Sequence, residues 1–429
     1  MPSWRTEFNT LTGAEPDEAA PVAWSFLYFF CLLCGYYLLR PVRDEMAIEG
    51  GVQHLPWMMT ATFLTLLLVA PLFGFLSARV PRDRLLFGLY TFFGAHLVAF
   101  YVLMAAKIAP EWVARVFFVW LSVFNLFVVS IFWSFMADLF SPEQGARLFG
   151  VIAAGGSTGA MVGPLLTTGL TYVTPIAVLM LVSAGFLAAC GVCIARLDRW
   201  AKSRSEPKRR SSGDPLGGSM WGGLRAVAGS PYLLGICFYL FCLTTTATFI
   251  YLEQTKLVGE LIVSPESRTR LFATIDFAVN VLAFFTQAFV TRHVIDRFGL
   301  AAALVSLPAV SVVGFGLLGT VPLLMTYILF TVLRRVGEYA LAKPAREVLF
   351  TVVSREEKYK AKNVIDTAIS RGGDAATGWV VSGIKALGVS SVQIAWVLVP
   401  IAGLWAWLGW FLAKEEERKR LQAVEPERG

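Results

Sequence analysis

A set of ionisable residues interrupts otherwise apolar stretches of this sequence: Arg40, Arg43, Asp44, Glu253, Asp276, Arg334, Arg335, Glu338, Arg346, Asp366, Arg371 and Asp374. Arginine predominates over lysine among them. Its planar guanidinium presents paired N–H donors that match the oxygens of a phosphate or a carboxylate. The acidic members suit ion coupling, proton uptake or gating, because a carboxylate inside a bilayer must face water or a counter-charge. Two of the interruptions fall in equivalent places. Tyr37-Leu38-Leu39-Arg40-Pro41-Val42-Arg43-Asp44-Glu45 closes the first hydrophobic segment, and Tyr251-Leu252-Glu253-Gln254-Thr255-Lys256 closes the seventh. Charge at those two ends points to a pathway for a small anionic solute between two half-transporters. The plainer alternative is a set of mutually satisfied ion pairs that only hold helices together. Arg40 and Arg43 resist it, since they lie on the side where basic residues are disfavoured.

The elements that must position these residues are legible from composition. The chain has 429 residues, 56% of them hydrophobic and 16% charged, where a soluble chain carries roughly 25% charge. Apolar segments of about 20 residues recur, each long enough to cross a bilayer core of roughly 30 Å. Candidate spans lie near 21–39, 56–78, 85–106, 112–136, 148–171 and 174–195, then near 232–252, 271–291, 299–318, 322–342, 363–384 and 391–413. The reading is an all-α membrane protein with twelve transmembrane helices. A β-barrel would need shorter, alternating segments. The formal charge of +7 is no nucleic-acid signal, because the basic residues follow topology: Arg79/Arg82/Arg84, Arg196 to Arg210, Arg355 to Lys362 and Arg418/Lys419/Arg420 all fall on one side. That side is the cytoplasm by the positive-inside rule, so a multi-pass protein of the cell (inner) membrane with both termini cytoplasmic is expected. Glu7, Glu15, Asp17 and Glu18 make the first residues unlike a signal or transit peptide.

The polar, basic stretch from Arg196 through Pro215 breaks the membrane pattern and reads as a linker. It divides the chain into an N-terminal tail (1–20), a six-helix bundle (21–195), a basic linker (196–230), a second six-helix bundle (231–413) and a C-terminal tail (414–429). Six plus six resembles the major facilitator layout. Two loops resemble that superfamily's G-x-x-x-D-R-x-G-R/K-R/K motif: Gly74 to Arg84, with Ala78 and Pro81 departing from it, and Asp296-Arg297-Phe298-Gly299, which keeps D-R-x-G. Gly150, Gly155, Gly159, Gly163-Pro164 and Gly169 resemble the fifth-helix motif of major facilitator antiporters, and small residues at this spacing also allow plain close packing.

Cys31/Cys34 and Cys190/Cys193 sit in apolar spans and read as packed small side chains. His54, His96 and His293 are scattered, so no metal site is expected. No G-x-x-x-x-G-K-[ST] occurs and no nucleophile–base set converges, so neither a cofactor nor an enzyme activity is expected.

Several of the same residues resemble the ATP/ADP translocases, nucleotide transporters of plastids and intracellular bacteria. Leu39-Arg40-Pro41-Val42-Arg43-Asp44 is similar to the family's I-L-R-D-T-K-D, with Arg43 in place of a lysine. Glu253 and Lys256 match its seventh-span glutamate and following lysine, and Asp276 an aspartate of its eighth span. Glu338 to Val348 resembles K-Y-x-L-x-D-P-x-K-E-M, with Arg346 for a lysine, and Lys358 to Asp366 resembles K-x-K-G-K-A-A-I-D. Two features depart: nothing acidic lies in Leu121 to Phe132, and Asp374 stands where many members have lysine. The resemblance implies a monomeric carrier that moves a nucleotide by alternating access, with exchange the expected mode. Arg40, Arg43, Lys256, Arg346 and Arg371 would contact the solute, and Asp44, Glu253, Asp276, Glu338, Asp366 and Asp374 would couple or gate, Glu253 pairing with Lys256. A proton-coupled carrier of another organic anion and a non-transporting membrane scaffold or sensor are the alternatives.

Overall fold

The computed structural model describes residues 15, 17–80, 82–203, 227–354, 361–362 and 365–424. Most of the basic linker, the run Arg355 to Lys360 and the extreme ends of both tails lie outside the described residues.

The described chain is helical. In order come α1 (Ala19–Glu49), α2 (Leu55–Arg79), α3 (Arg82–Ala105), α4 (Pro110–Leu139), α5 (Pro142–Leu170) and α6 (Val178–Ser203). Then follow α7 (Pro231–Leu261), α8 (Pro265–Phe285), α9 (Arg292–Thr320), α10 (Leu324–Gly337), α11 (Lys343–Leu349), α12 (Ser370–Ala386) and α13 (Ser391–Val424). Three wide π-helical segments connect or extend the later helices: Thr286–Thr291 joins α8 to α9, Glu338–Ala342 joins α10 to α11, and Ile365–Ile369 leads into α12.

Among the described residues, nine helical stretches are long and apolar enough to cross a membrane. The longest, Pro265–Thr320, holds two passes, because Gly299 at φ 79° and ψ 175° breaks it. Two further segments, 324–349 and 365–386, fall where the remaining two of the expected spans lie. Their apolar runs are interrupted by Arg334, Arg335, Glu338 and Arg346 in one, and by Asp366, Arg371, Asp374 and Lys385 in the other.

The described residues form two compact units that differ from the two sequence halves. The first unit takes in Met1–Gly50, Leu68–Asp214 and Ile262–Phe277, and the second takes in Gly51–Leu67, Pro215–Leu261 and Ala278–Gly429. Each unit thus holds the opening stretch of a helix from the opposite half of the chain.

In the first unit, α1 and α5 lie backbone against backbone. A Cβ on Gly155 would sit 2.4 Å from the Phe26 carbonyl oxygen, and one on Gly159 2.4 Å from that of Phe30. Only a hydrogen fits there, so the glycine spacing does the work of close packing. The Thr167 hydroxyl donates to the Leu38 carbonyl at 2.8 Å and the Ser183 hydroxyl to Gly35 at 3.1 Å, tying α5 and α6 to α1. Cys31, Cys34, Cys190 and Cys193 are all buried in this unit.

In the second unit the core lies where α9 meets α13 and α7. Leu304, Leu307, Trp405 and Leu412 are fully buried, and the Tyr239 hydroxyl donates to the Leu304 carbonyl at 2.8 Å. Two of the π segments meet: the Thr291 hydroxyl donates to the Ala340 carbonyl at 2.7 Å. A π turn disturbs the regular ladder of backbone bonds, and this buried hydroxyl supplies a partner where water is absent.

Candidate functional site

In the first unit, α1 does not end at Leu39, where the apolar run stops, but continues as helix to Glu49 with Pro41 inside it. Arg40, Arg43, Asp44 and Glu45 are therefore helix side chains with fixed directions, not loop charges. Residues three and four apart share a helix face, which sets Tyr37 and Asp44 beside Arg40. Arg40 Nε lies 3.7 Å from Asp276 Oδ2, and the Arg40 guanidinium stands 5.7 Å over the Tyr37 ring. Asp276, on α8, is 1% exposed. Arg43 grips its neighbour Asp44 with both Nε and a terminal nitrogen, at 3.2 and 2.8 Å, and stands 5.2 Å over Phe118.

One pair in this unit is not among the expected site residues. Glu45 is fully buried, and its Oε2 lies 3.1 Å from Arg268 Nε near the start of α8. Breaking a buried pair by removing one partner costs about 3–5 kcal/mol, because the other charge is stranded. Both residues sit near segment ends, where charges ordinarily read as topological. Nearby, Arg270 donates to the Thr171 carbonyl at 2.9 Å and stacks over Tyr172.

In the second unit, α7 likewise runs past the apolar stretch to Leu261, so Glu253, Lys256 and Glu260 are all helical. The expected pairing of Glu253 with Lys256 is not the one formed. Glu253 is buried, forms an ion pair with Lys385 of α12, and accepts a 2.6 Å hydrogen bond from the Ser391 hydroxyl of α13. Lys256 points away and lies 3.7 Å from Glu260, with both side chains half-exposed. The physical reason is competition: Lys385 and Ser391 already meet Glu253 in the core, while Lys256, about 60° round the helix at its half-exposed edge, finds Glu260 one turn further on. Next to Glu253, Gln254 accepts from the Thr331 hydroxyl at 2.6 Å.

The other candidates of this unit cluster around the π segments. Arg334 lies 3.1 Å from Glu338, the first residue of the Glu338–Ala342 segment. Arg346, a turn beyond that segment, is 3.8 Å from Glu347, which also holds Lys362 at 2.7 Å. Arg371 reaches Asp374 at 3.5 Å, and the Thr248 hydroxyl of α7 donates to the same carboxylate at 2.8 Å. Asp366 lies in the Ile365–Ile369 segment, its side chain outside the described residues.

Each unit thus presents guanidinium groups matched to carboxylates, on the long helices α1 and α8 in the first and on the shorter helices beside the π segments in the second. Such a pair is neutral overall, and a guanidinium bonds the oxygens of a phosphate with the same geometry that it offers a carboxylate. The D-R-x-G copy behaves differently from a clamp between helices: Asp296 pairs within its own helix, with Arg292 at 3.3 Å.

Comparison with known proteins agrees with this architecture. A family model described as the Major Facilitator Superfamily matches residues 25–337. The chain is 22% identical to ADP,ATP carrier protein 1 of Chlamydia trachomatis serovar D, over 89% of this chain and 85% of that one. Among solved structures, a bacterial homologue of the iron transporter ferroportin in an inward-facing state superposes with a TM-score of 0.66 at 14% identity, covering 92% of this chain and 98% of that one. The nucleoside transporter NupG does so with a TM-score of 0.64 at 11% identity, covering 91% and 98%. The expected likeness to the ATP/ADP translocases is borne out by the second of these findings, and the all-helical facilitator-type fold by the others.

Proposed function

This chain belongs to the Major Facilitator Superfamily, and we propose that, as a transporter of that type, it moves a nucleotide or similar phosphate-bearing anion by exchange, through alternating access. The observation that carries the reading is the Arg40–Asp276 pair: a guanidinium at the end of the first apolar run and a nearly inaccessible carboxylate within α8. A buried ion pair gives little net stability over an apolar substitute, so its presence asks for another use. Binding a phosphate is one that the chemistry of arginine serves. The similarity to an ADP,ATP carrier supports the same class of solute.

In this reading Arg40 and Arg43 of α1 and Arg346 and Arg371 of the second unit meet the solute. Asp276, Asp44 and Asp374 hold Arg40, Arg43 and Arg371 in its absence, which keeps charge balanced through the cycle, and Glu338, paired with Arg334, and Asp366 act in coupling or gating. Glu253, with Lys385 and Ser391, acts as a gate-side cluster, and Lys256 lies outside it as a surface contact for the arriving anion. The protein works as a monomer in the inner membrane with both termini in the cytoplasm.

The test is uptake of labelled ATP into vesicles carrying purified protein. Uptake is expected to require internal ADP and to survive a protonophore. Arg43→Ala is expected to abolish it at unchanged expression, and Arg43→Lys to keep part of it. Uptake by empty vesicles that a protonophore abolishes would replace exchange with proton coupling. Normal uptake by the alanine variant would remove Arg43 from the site.

A further inference from the structure

The junction of α8 and α9 holds a feature that solute transport does not use. Ala288, Phe289, Arg292, His293, Asp296 and Arg297 line a surface cleft of about 440 Å³. Its apolar side is Phe289, which is 72% exposed and continues into an aromatic face by stacking on Phe285 with ring planes 12° apart. Its polar side begins within one helical turn, where the Arg292 side chain is 91% exposed. The π segment Thr286–Thr291 carries Phe289 and ends directly before Arg292, and such segments recur at functional positions. Gly299, at φ 79°, then turns the chain away just past Arg297.

Exposed phenylalanines alone would mean only contact with acyl chains. The vertical order adds more. Arg292 stands about 5 Å beyond Phe289 along the helix axis, comparable to the roughly 5–8 Å depth of a headgroup layer. Acyl chain, then phosphate, is the order in which a phospholipid offers apolar and anionic groups. The charge of the cleft is unbalanced: Arg292 and Arg297 face a single carboxylate, Asp296, which lies 3.3 Å from Arg292. Only one other acidic or basic group, His293, lines it. At the equivalent turn, among the described residues, Arg79 at the end of α2 folds back to 3.9 Å over the Phe75 ring.

We propose that this cleft is a binding site for the headgroup of an anionic phospholipid, with Arg292 and Arg297 holding the phosphate and Phe285 and Phe289 the first carbons of an acyl chain. The occupant is a lipid rather than free phosphate because the aromatic face continues the arginine site into the hydrocarbon. Both arginines are at the surface, so their removal leaves the fold intact.

The experiment follows the melting temperature of the full chain in neutral detergent on adding phosphatidylglycerol or phosphatidylcholine. Phosphatidylglycerol is expected to raise it more than phosphatidylcholine. The double variant Arg292→Gln/Arg297→Gln is expected to melt normally without lipid and to lose more than half of the phosphatidylglycerol shift. Asp296→Asn, which removes the competing carboxylate, is expected to enlarge that shift. Equal shifts with both lipids, an unchanged shift in the double variant, a smaller shift in Asp296→Asn, or a full shift with inorganic phosphate alone would each overturn the proposal.

Discussion

The two units handle the same problem, holding charges among apolar helices, in opposite ways. In the first, the charged residues ride on a regular helix, α1, whose other face is pressed by Gly155, Gly159 and Gly163 onto α5 with no space for a single added carbon. In the second, charged residues sit in or beside π segments, where the helix is wound differently and its hydrogen bonds are rearranged. Among the described residues no π segment falls in the first unit. The difference teaches that a charge is positioned either by fixing its helix against a neighbour or by changing the winding of the helix itself. The first way leaves one arrangement. The second leaves a local winding that has a near alternative, an ordinary α turn.

The largest expected effect tests the rigid side. Gly159→Val places a branched side chain against the Phe30 carbonyl and the Cys34 amide, so loss of a folded, monodisperse protein on size-exclusion chromatography is expected. Overpacking of this kind costs several kcal/mol, about 3 or more where backbone must move. Gly150→Val on the same helix, with nothing within 4 Å of the added carbon, is expected to behave as the parent. Equal behaviour of the two variants would dismantle the contrast.

Next comes the buried pair of the first unit. Glu45→Gln and Arg268→Gln are each expected to destabilise by about 3 kcal/mol, and the double variant by less than their sum. Additive losses in thermal melts would mean that Glu45 and Arg268 do not depend on each other.

A smaller effect tests the adjustable side. Thr291→Val removes the hydroxyl that serves the Ala340 carbonyl, with an expected loss of about 1–3 kcal/mol for the unpaired buried group. If the two π segments support each other, amide exchange is expected to speed up in both, whereas a change confined to 286–291 would separate them.

The smallest effect lies at the start of α1. Burial pushes the Glu18 carboxyl up, but bonds from the Glu15 amide and Gln144, with the Arg147 charge, hold it below the usual carboxylate range. A lowered folded value means that its stabilisation is full above the unfolded value of about 4.3 and fades as pH falls through the folded one. Glu18→Gln is therefore expected to lower the melting temperature slightly at pH 7 and to make no difference at strongly acidic pH. An equal deficit at both would show that packing, not charge, is what was lost.

The number of segments, their polarity and the glycine seam were all readable in the sequence, since each rests on a repeating local pattern. The location of charge was readable too, for Arg40, Arg43, Glu253 and Asp276 break long apolar runs. Partners were not. Lys385 lies far from Glu253 along the chain, and Lys256, three residues on, offered a local pairing that it instead makes with Glu260 at the half-exposed edge of the helix. Glu45 and Arg268 escaped notice because burial of a segment end is decided by a distant helix. The π segments also escaped, as one extra residue in a helical turn alters no hydrophobic period long enough to detect.

That each unit holds a stretch from the other half of the chain bears on how the molecule is made. The first unit lacks its last piece until Phe277 has been synthesised, well after α6 has left the ribosome. At about 5–20 residues per second, Glu45 waits roughly 10–45 seconds for Arg268. Two separately expressed halves, cut between α6 and α7, would each be born incomplete, and each would find its missing stretch only on the other.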